Sequence, residues 1–152
     1  MRRSLLILIL GLVTLATATS ATEFAVVVNP ANPIKALSLA DLGKILKGKT
    51  ESWPSGRVIT VVLPQPDAPG MKFLIEKTLS VGADQGKEIL TDSARKANTI
   101  IFVPKDDDVV KAVAASPTAI GVVDVYSITS GVKVIRIDDK QPFDVGYALK
   151  GH

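Results

Sequence analysis

The chain has 152 residues, 47% of them hydrophobic, a formal net charge of +3 and no cysteine. That length suffices for one domain with a real core. The missing cysteines exclude a disulfide framework, a thiol nucleophile, a thiolate metal site and a lipidated cysteine anchor. No basic stripe with interleaved aromatics is present, which argues against a nucleic-acid partner.

The first residues have the pattern of an export signal. Arg2 and Arg3 precede an apolar run from Leu5 to Leu15, and Ala16-Thr17-Ala18 supplies a small-residue cleavage pattern. The run is too short to span a bilayer. The expected signal covers residues 1–18, with cleavage after Ala21 as a second option. Its removal takes away Arg2 and Arg3 and lowers the formal charge from +3 to +1, so net charge points to no acidic partner.

Ala25–Val28 is a continuous β-branched run closed by Asn29-Pro30, which suits a strand buried on both faces of a parallel sheet. ANPIKA follows as turn-rich chain. Ser38 then opens a helix, with Asp41 in the reciprocal capping-box position and Leu37 and Leu42 spaced as a hydrophobic staple. Leu39, Leu42, Ile45 and Leu46 form its apolar face, and Gly48 supplies the stop. Trp53-Pro54-Ser55-Gly56 predicts a turn and Val58–Leu63 a second strand, so that strand, helix and strand imply a right-handed crossover in a parallel sheet. A proline-stiffened loop reaches Gly70, and a helix is predicted over Met71–Leu79.

A weaker helical period lies between Asp84 and Ala97. Ile100–Val103 is the next expected strand. One of Asp106, Asp107 and Asp108 is expected to cap a helix carrying Val109, Val110 and Val113, stopped before Pro117. Ile120–Val123 and Val132–Ile137 complete the strands. The fold class is α/β, with a mostly parallel sheet, flanking helices and no interior boundary over residues 22–150.

The order FAVVVNPANP, LSLADLGKILKG, KTESWPSG and RVITVVL, followed by AVAASPTAIGVVDV, resembles the phosphate-type solute-binding proteins of ABC transporters. The resemblance covers about Ala25 to Pro142. Its most specific parts are Gly48, Trp53, Pro54 and Gly56, and then Ala119-Ile120-Gly121, with Val122 where the family usually has tyrosine. It implies a reduced type 2 periplasmic-binding-protein-like fold, while the export signal without a cysteine anchor gives the expected periplasmic location. The resemblance also implies a small anion such as phosphate as ligand and an ABC transporter permease as partner; a homodimer partner is expected instead if the chain is an interaction module. Typical members are about twice this size. They hold phosphate through an arginine followed, after three residues, by Ser-Gly-Thr. Anchoring that motif on Gly70 places Gln65, Pro69 and Met71 at the arginine, serine and threonine positions, so the specific phosphate ligands are replaced.

The ligand candidates are Asn29, Asn32, Arg57, Gln65, Asp67, Gly70 and Lys72. Asn29 and Asn32 follow the first strand, at an edge where open α/β sheets bind ligands, although asparagine before proline is also turn chemistry. Asp67 is a ligand candidate or a helix cap. Arg57 and Lys72 flank the loop as anion recruiters or as solvated charges. Gln65 and Gly70 frame a helix start whose amides can face an anion. Trp53 reads as packing against the preceding helix or as a stacking surface.

The Asp106–Asp108 run lacks the alternating oxygen ligands and glycine of a calcium loop. His152 is the only histidine and the last residue, and no hydrolase elbow, zinc helix or nucleotide loop is present, so no catalytic residue, metal or cofactor is assigned. The leading expectation is reversible binding of a small anion or polar solute. The alternative is an interaction module that kept the fold without the pocket and carries an exposed apolar patch.

Overall fold

The computed structural model describes residues 22–97 and 99–151; the expected export segment and His152 lie outside them. In chain order the elements are β1 (Phe24–Val28), β2 (Ala36–Leu37), α1 (Leu39–Leu46), β3 (Thr60–Pro64), α2 (Met71–Leu79), α3 (Ala83–Ala97), β4 (Ile100–Val103), α4 (Asp106–Ala115), β5 (Ala119–Asp124), β6 (Lys133–Val134) and β7 (Arg136–Ile137). A short 3-10 turn, Val125–Ser127, follows β5. The main sheet runs β4-β3-β5-β1-β6, and β2 pairs with β7 in a small second sheet.

β3 is parallel to both β4 and β5, whereas β1 is antiparallel to β5 and to β6. Four strands therefore point one way and β1 points the other. This corrects the expected crossover: β1, α1 and β3 do not form a right-handed parallel unit, because β5 separates the two strands and β1 is reversed. The apolar run of β1 is buried on both faces as expected, but full burial does not encode direction. Val132–Ile137 is likewise not one strand. Its start extends the main sheet, Ile135 donates its amide to Val26, and its end pairs with β2.

Alternation along the strands divides the core. Phe24, Val26, Val28, Val61, Leu63, Ile120 and Val122 face the side covered by α1, α2 and α3. Val27, Val62, Ala119 and Val123 face α4 through Val109, Val110 and Val113. The result is helices on both faces of one sheet.

The helices start and stop for local reasons. Ser38 Oγ accepts from the Asp41 amide at 3.0 Å, as the cap requires. The Asp41 carboxylate lies 3.4 Å from Lys44 Nζ. The Ser38 hydroxyl, and after it Lys44, holds the Asp41 carboxyl below its ordinary pKa. Gly48 has φ +70° just beyond α1, the left-handed geometry that ends a helix. Neither expected aspartate cap forms. Gly70 occupies the N-cap position of α2 and Lys105 that of α4, and neither makes a side-chain cap bond. Asp106, Asp107 and Asp108 lie in the first turn of α4, where the helix dipole favours them.

The C-terminal segment crosses the start of β1 and closes the core. Phe24 N donates to Leu149 O at 2.9 Å and Gly151 N to Thr22 O at 2.7 Å. Tyr147 and Leu149 are buried there.

Candidate functional site

The sheet has two edges with different chemistry. Parallel strands β3, β4 and β5 all end at one of them, the carboxyl edge, where Pro64 aligns with Val103. Because β1 is reversed, its last residue, Val28, pairs with Ile120 near the start of β5. Asn29 and Asn32 therefore lie at the opposite, amino edge. The candidate residues do not converge on one place.

At the amino edge, Asn29 is fully used inside the protein. Its Nδ2 donates to Val113 O at 3.0 Å and to Ala114 O at 2.9 Å, and its Oδ1 accepts from Ala31 N at 2.9 Å. It ties the end of β1 to the last carbonyls of α4. Asn32 is 5% exposed. Its Oδ1 accepts from Ile34 N at 3.1 Å, and its main-chain carbonyl accepts from Lys133 Nζ at 2.5 Å. Asn32 Nδ2 is buried without a partner.

Asn32 contributes to a cleft of about 280 Å³ whose other walls include Ile34, Trp53, Pro54, Arg57 and Pro117. Trp53 is buried in the same apolar cluster as α1, and its Nε1 donates to Thr118 O at 2.9 Å. Its ring is thus part of the core as well as of the cleft wall. Gly56, at φ +84°, turns the chain so that its amide reaches Trp53 O at 2.8 Å and Arg57 follows at the rim. Arg57 is exposed and joins neither ion pair found among the described residues, Lys44–Asp41 and Arg95–Asp92.

At the carboxyl edge, Gln65 and Asp67 are exposed on the turn after β3, closed by Ala68 N donating to Gln65 O at 2.9 Å. Lys72 is exposed on the first turn of α2. Gly70 has φ +83°, and a Cβ there would stand 2.6 Å from Phe24 Cζ, so both backbone and packing demand glycine. Phe24 in turn stacks on Phe73 of α2, with ring centroids 6.3 Å apart.

A second cleft, of about 290 Å³, lies here between the α2 start and the α4 start. Phe24, Pro64 and Pro69 give it apolar walls, while Lys105, Asp106 and Asp124 give it charge. Asp106 Oδ2 accepts from Asp124 N at 2.9 Å and Asp124 Oδ1 accepts from Tyr126 N at 2.9 Å, so both carboxylates also shape the strand end. Of the candidates from sequence, none but the Gln65–Lys72 group belongs to this edge, and Arg57 lies at the other. Among the described residues no cluster of acidic or histidine side chains could hold a metal ion.

Comparison with known proteins gives this architecture its context. The sequence matches the PBP superfamily domain over residues 21–139. The chain belongs to that superfamily. No curated protein sequence matches it. Its fold is similar to that of an ABC-type phosphate transport receptor from Vibrio cholerae, with TM-score 0.69 and 22% identity over 87% of this chain and 55% of the receptor. PstS from Borrelia burgdorferi aligns with TM-score 0.70 and 16% identity over 88% of this chain and 56% of that protein. A putative phosphate ABC transporter substrate-binding protein with bound phosphate, from Clostridium perfringens, gives 0.60 and 18% over 80% and 47%. The PBP superfamily chain thus spans about half the length of the receptors it matches. The resemblance read from the strand, helix and Trp-Pro-Ser-Gly order is borne out at the level of family and fold.

Lys105 escaped the sequence reading. It stands directly after β4 and before α4, and the strand-end rule that singles out Asn29 and Asn32 after the first strand applies equally to the loop after β4.

Proposed function

We propose that residues 22–150 act as one receptor-type domain of a periplasmic solute-binding protein that reversibly holds a small anion or polar solute. The observation that carries this reading is the carboxyl-edge cleft. Two helices begin beside it without side-chain caps, so the positive ends of both helix dipoles lie at its rim. Lys105 supplies a cation in the wall and Lys72 another on the adjacent turn. Arg57, at the other edge, takes no part.

Phosphate is what the similar receptors are described as transporting or holding. The same cleft here also carries Asp106 and Asp124, which oppose a doubly charged anion. The chemistry favours a singly charged or neutral polar solute, handed on to an ABC transporter permease. Membership in the PBP superfamily and likeness to substrate-binding receptors support binding rather than catalysis.

Thermal unfolding of the protein against phosphate, sulfate, small carboxylates and neutral sugars tests this. A bound solute at a hundred times its Kd adds about 2.7 kcal/mol, a shift of several degrees. Lys105→Gln should abolish the shift and leave the unliganded melting temperature within about 1–2 °C. A shift that survives Lys105→Gln, or none with any solute, counts against the site.

One observation favours the alternative, an interaction module. Tyr126 and Phe143 are 84% and 65% exposed and pack on each other with centroids 6.4 Å apart, beside fully exposed Val145. Phe143 is held outward at φ +72°, its amide donating to Glu23 Oε1 at 2.6 Å. Light scattering over a range of concentrations separates the readings: a homodimer dissolved by Tyr126→Ser would favour the module, and a monomer throughout would disfavour it.

A further inference from the structure

We propose that the amino-edge cleft is a second ligand site, for a small organic monocarboxylate with an apolar body. It is independent of the carboxyl-edge reading, because the two clefts lie at opposite ends of the strands and share no residue.

Three features define the ligand. The first is shape and polarity: the wall is mostly apolar, with Pro33, Ile34, Pro54 and Pro117 in it, around about 280 Å³. That is room for a ring or branched chain, and such walls favour carbon over water. The second is charge. Arg57 stands at the rim outside both ion pairs among the described residues, and a guanidinium presents two parallel donors to a carboxylate.

The third is an unmet donor. Asn32 is a cleft-lining residue, 5% exposed, whose Nδ2 lacks an acceptor while its Oδ1 is occupied by Ile34 N. The donor lies behind the cleft wall and is closed to solvent, so a small shift of the Asn32 side chain brings it to a ligand oxygen and removes the cost of leaving it unpaired. Two donor groups and apolar walls match one carboxylate. They leave most oxygens of phosphate without partners.

The site is also stiff before it is filled. Trp53 Nε1 binds Thr118 O, Trp53 N binds Arg57 O at 2.9 Å, and Asn32 N binds Asn29 O at 2.9 Å. Prolines fix much of the remaining backbone. Little ordering entropy is therefore lost on binding.

The chain's single tryptophan, Trp53, lines this cleft and reports on it. Full-length protein is titrated with cyclohexanecarboxylate, which is transparent at the excitation wavelength, and tryptophan emission is followed. The expected result is a saturable change, at least tenfold weaker in midpoint with cyclohexanecarboxamide and absent with inorganic phosphate. Arg57→Gln, at an exposed position, should weaken the carboxylate by tenfold or more while leaving the melting temperature unchanged. Lys105→Gln should leave the titration unaltered. No saturable change, equal binding by Arg57→Gln, or a matching response to phosphate would overturn the proposal.

Discussion

Asn29 shows how a residue chosen as a ligand candidate serves the fold. Two donors and an acceptor are all satisfied within the chain, and the donors close the last carbonyls of α4. Asn29→Ala should cost about 2 kcal/mol in urea unfolding, the loss expected when buried polar groups lose a partner. Tyr147 is the opposite case, since its hydroxyl is buried without a partner. Burial, and then the Glu23 charge, pushes its pKa well above the ordinary value of 10.0. The folded state thus keeps the proton while the unfolded chain releases it, so stability is present below about pH 10 and falls as pH rises above it. Tyr147→Phe should gain about 1 kcal/mol at neutral pH. Its stability curve should also lose part of the alkaline decline; an unchanged slope would show that Tyr147 ionises no differently in the two states. Neither role was legible in sequence. Asn before Pro reads as a turn, which it is, but the carbonyls that accept from the Asn29 amide lie more than eighty positions away.

The helices were legible because their signals are local. Ser38, the Leu42-Ile45-Leu46 face and Gly48 sit within one stretch and agree with one another, and α1 occupies Leu39–Leu46 as they predict. α2 likewise covers Met71–Leu79. Strand direction was not legible. Val26 and its neighbours look the same whether the adjacent strand runs parallel or antiparallel, and the register is decided by β5, nearly a hundred residues away. What glycine does inside α1 was also hidden. A Cβ on Gly43 would stand 2.5 Å from the Thr78 carbonyl oxygen, which belongs to the backbone of α2 and cannot rotate aside. Alanine is favoured over glycine in a helix by about 1 kcal/mol, while forcing two helices apart costs about 1–3 kcal/mol. Overpacking should therefore win, and Gly43→Ala should lower stability by about 1–2 kcal/mol in chemical denaturation. A stabilised variant would mean that α1 and α2 separate freely.

At the scale of the whole molecule, one reversed strand distributes the chemistry. Had β1 run with β3, Asn29 and Asn32 would have joined the loop after β3; as folded, each edge has its own cleft. The carboxyl edge joins two helix starts, Lys105 and the paired functions of Asp106 and Asp124, and the amino edge joins Asn32, Trp53 and Arg57. The family pattern was readable because strand, helix and loop order survives in a chain that spans about half of the receptors it matches. The site was not, because edges are a property of the assembled sheet. A solute held in the carboxyl-edge cleft would lie against the first amides of α2 and α4. The most direct test is a titration of isotopically labelled protein followed by amide NMR. For one solute of the panel, the amides of Lys72, Phe73, Asp106 and Asp107 should shift together and saturate with a single Kd. If these amides stay fixed for every solute, or move only when those around Trp53 do, the carboxyl edge is not the solute site.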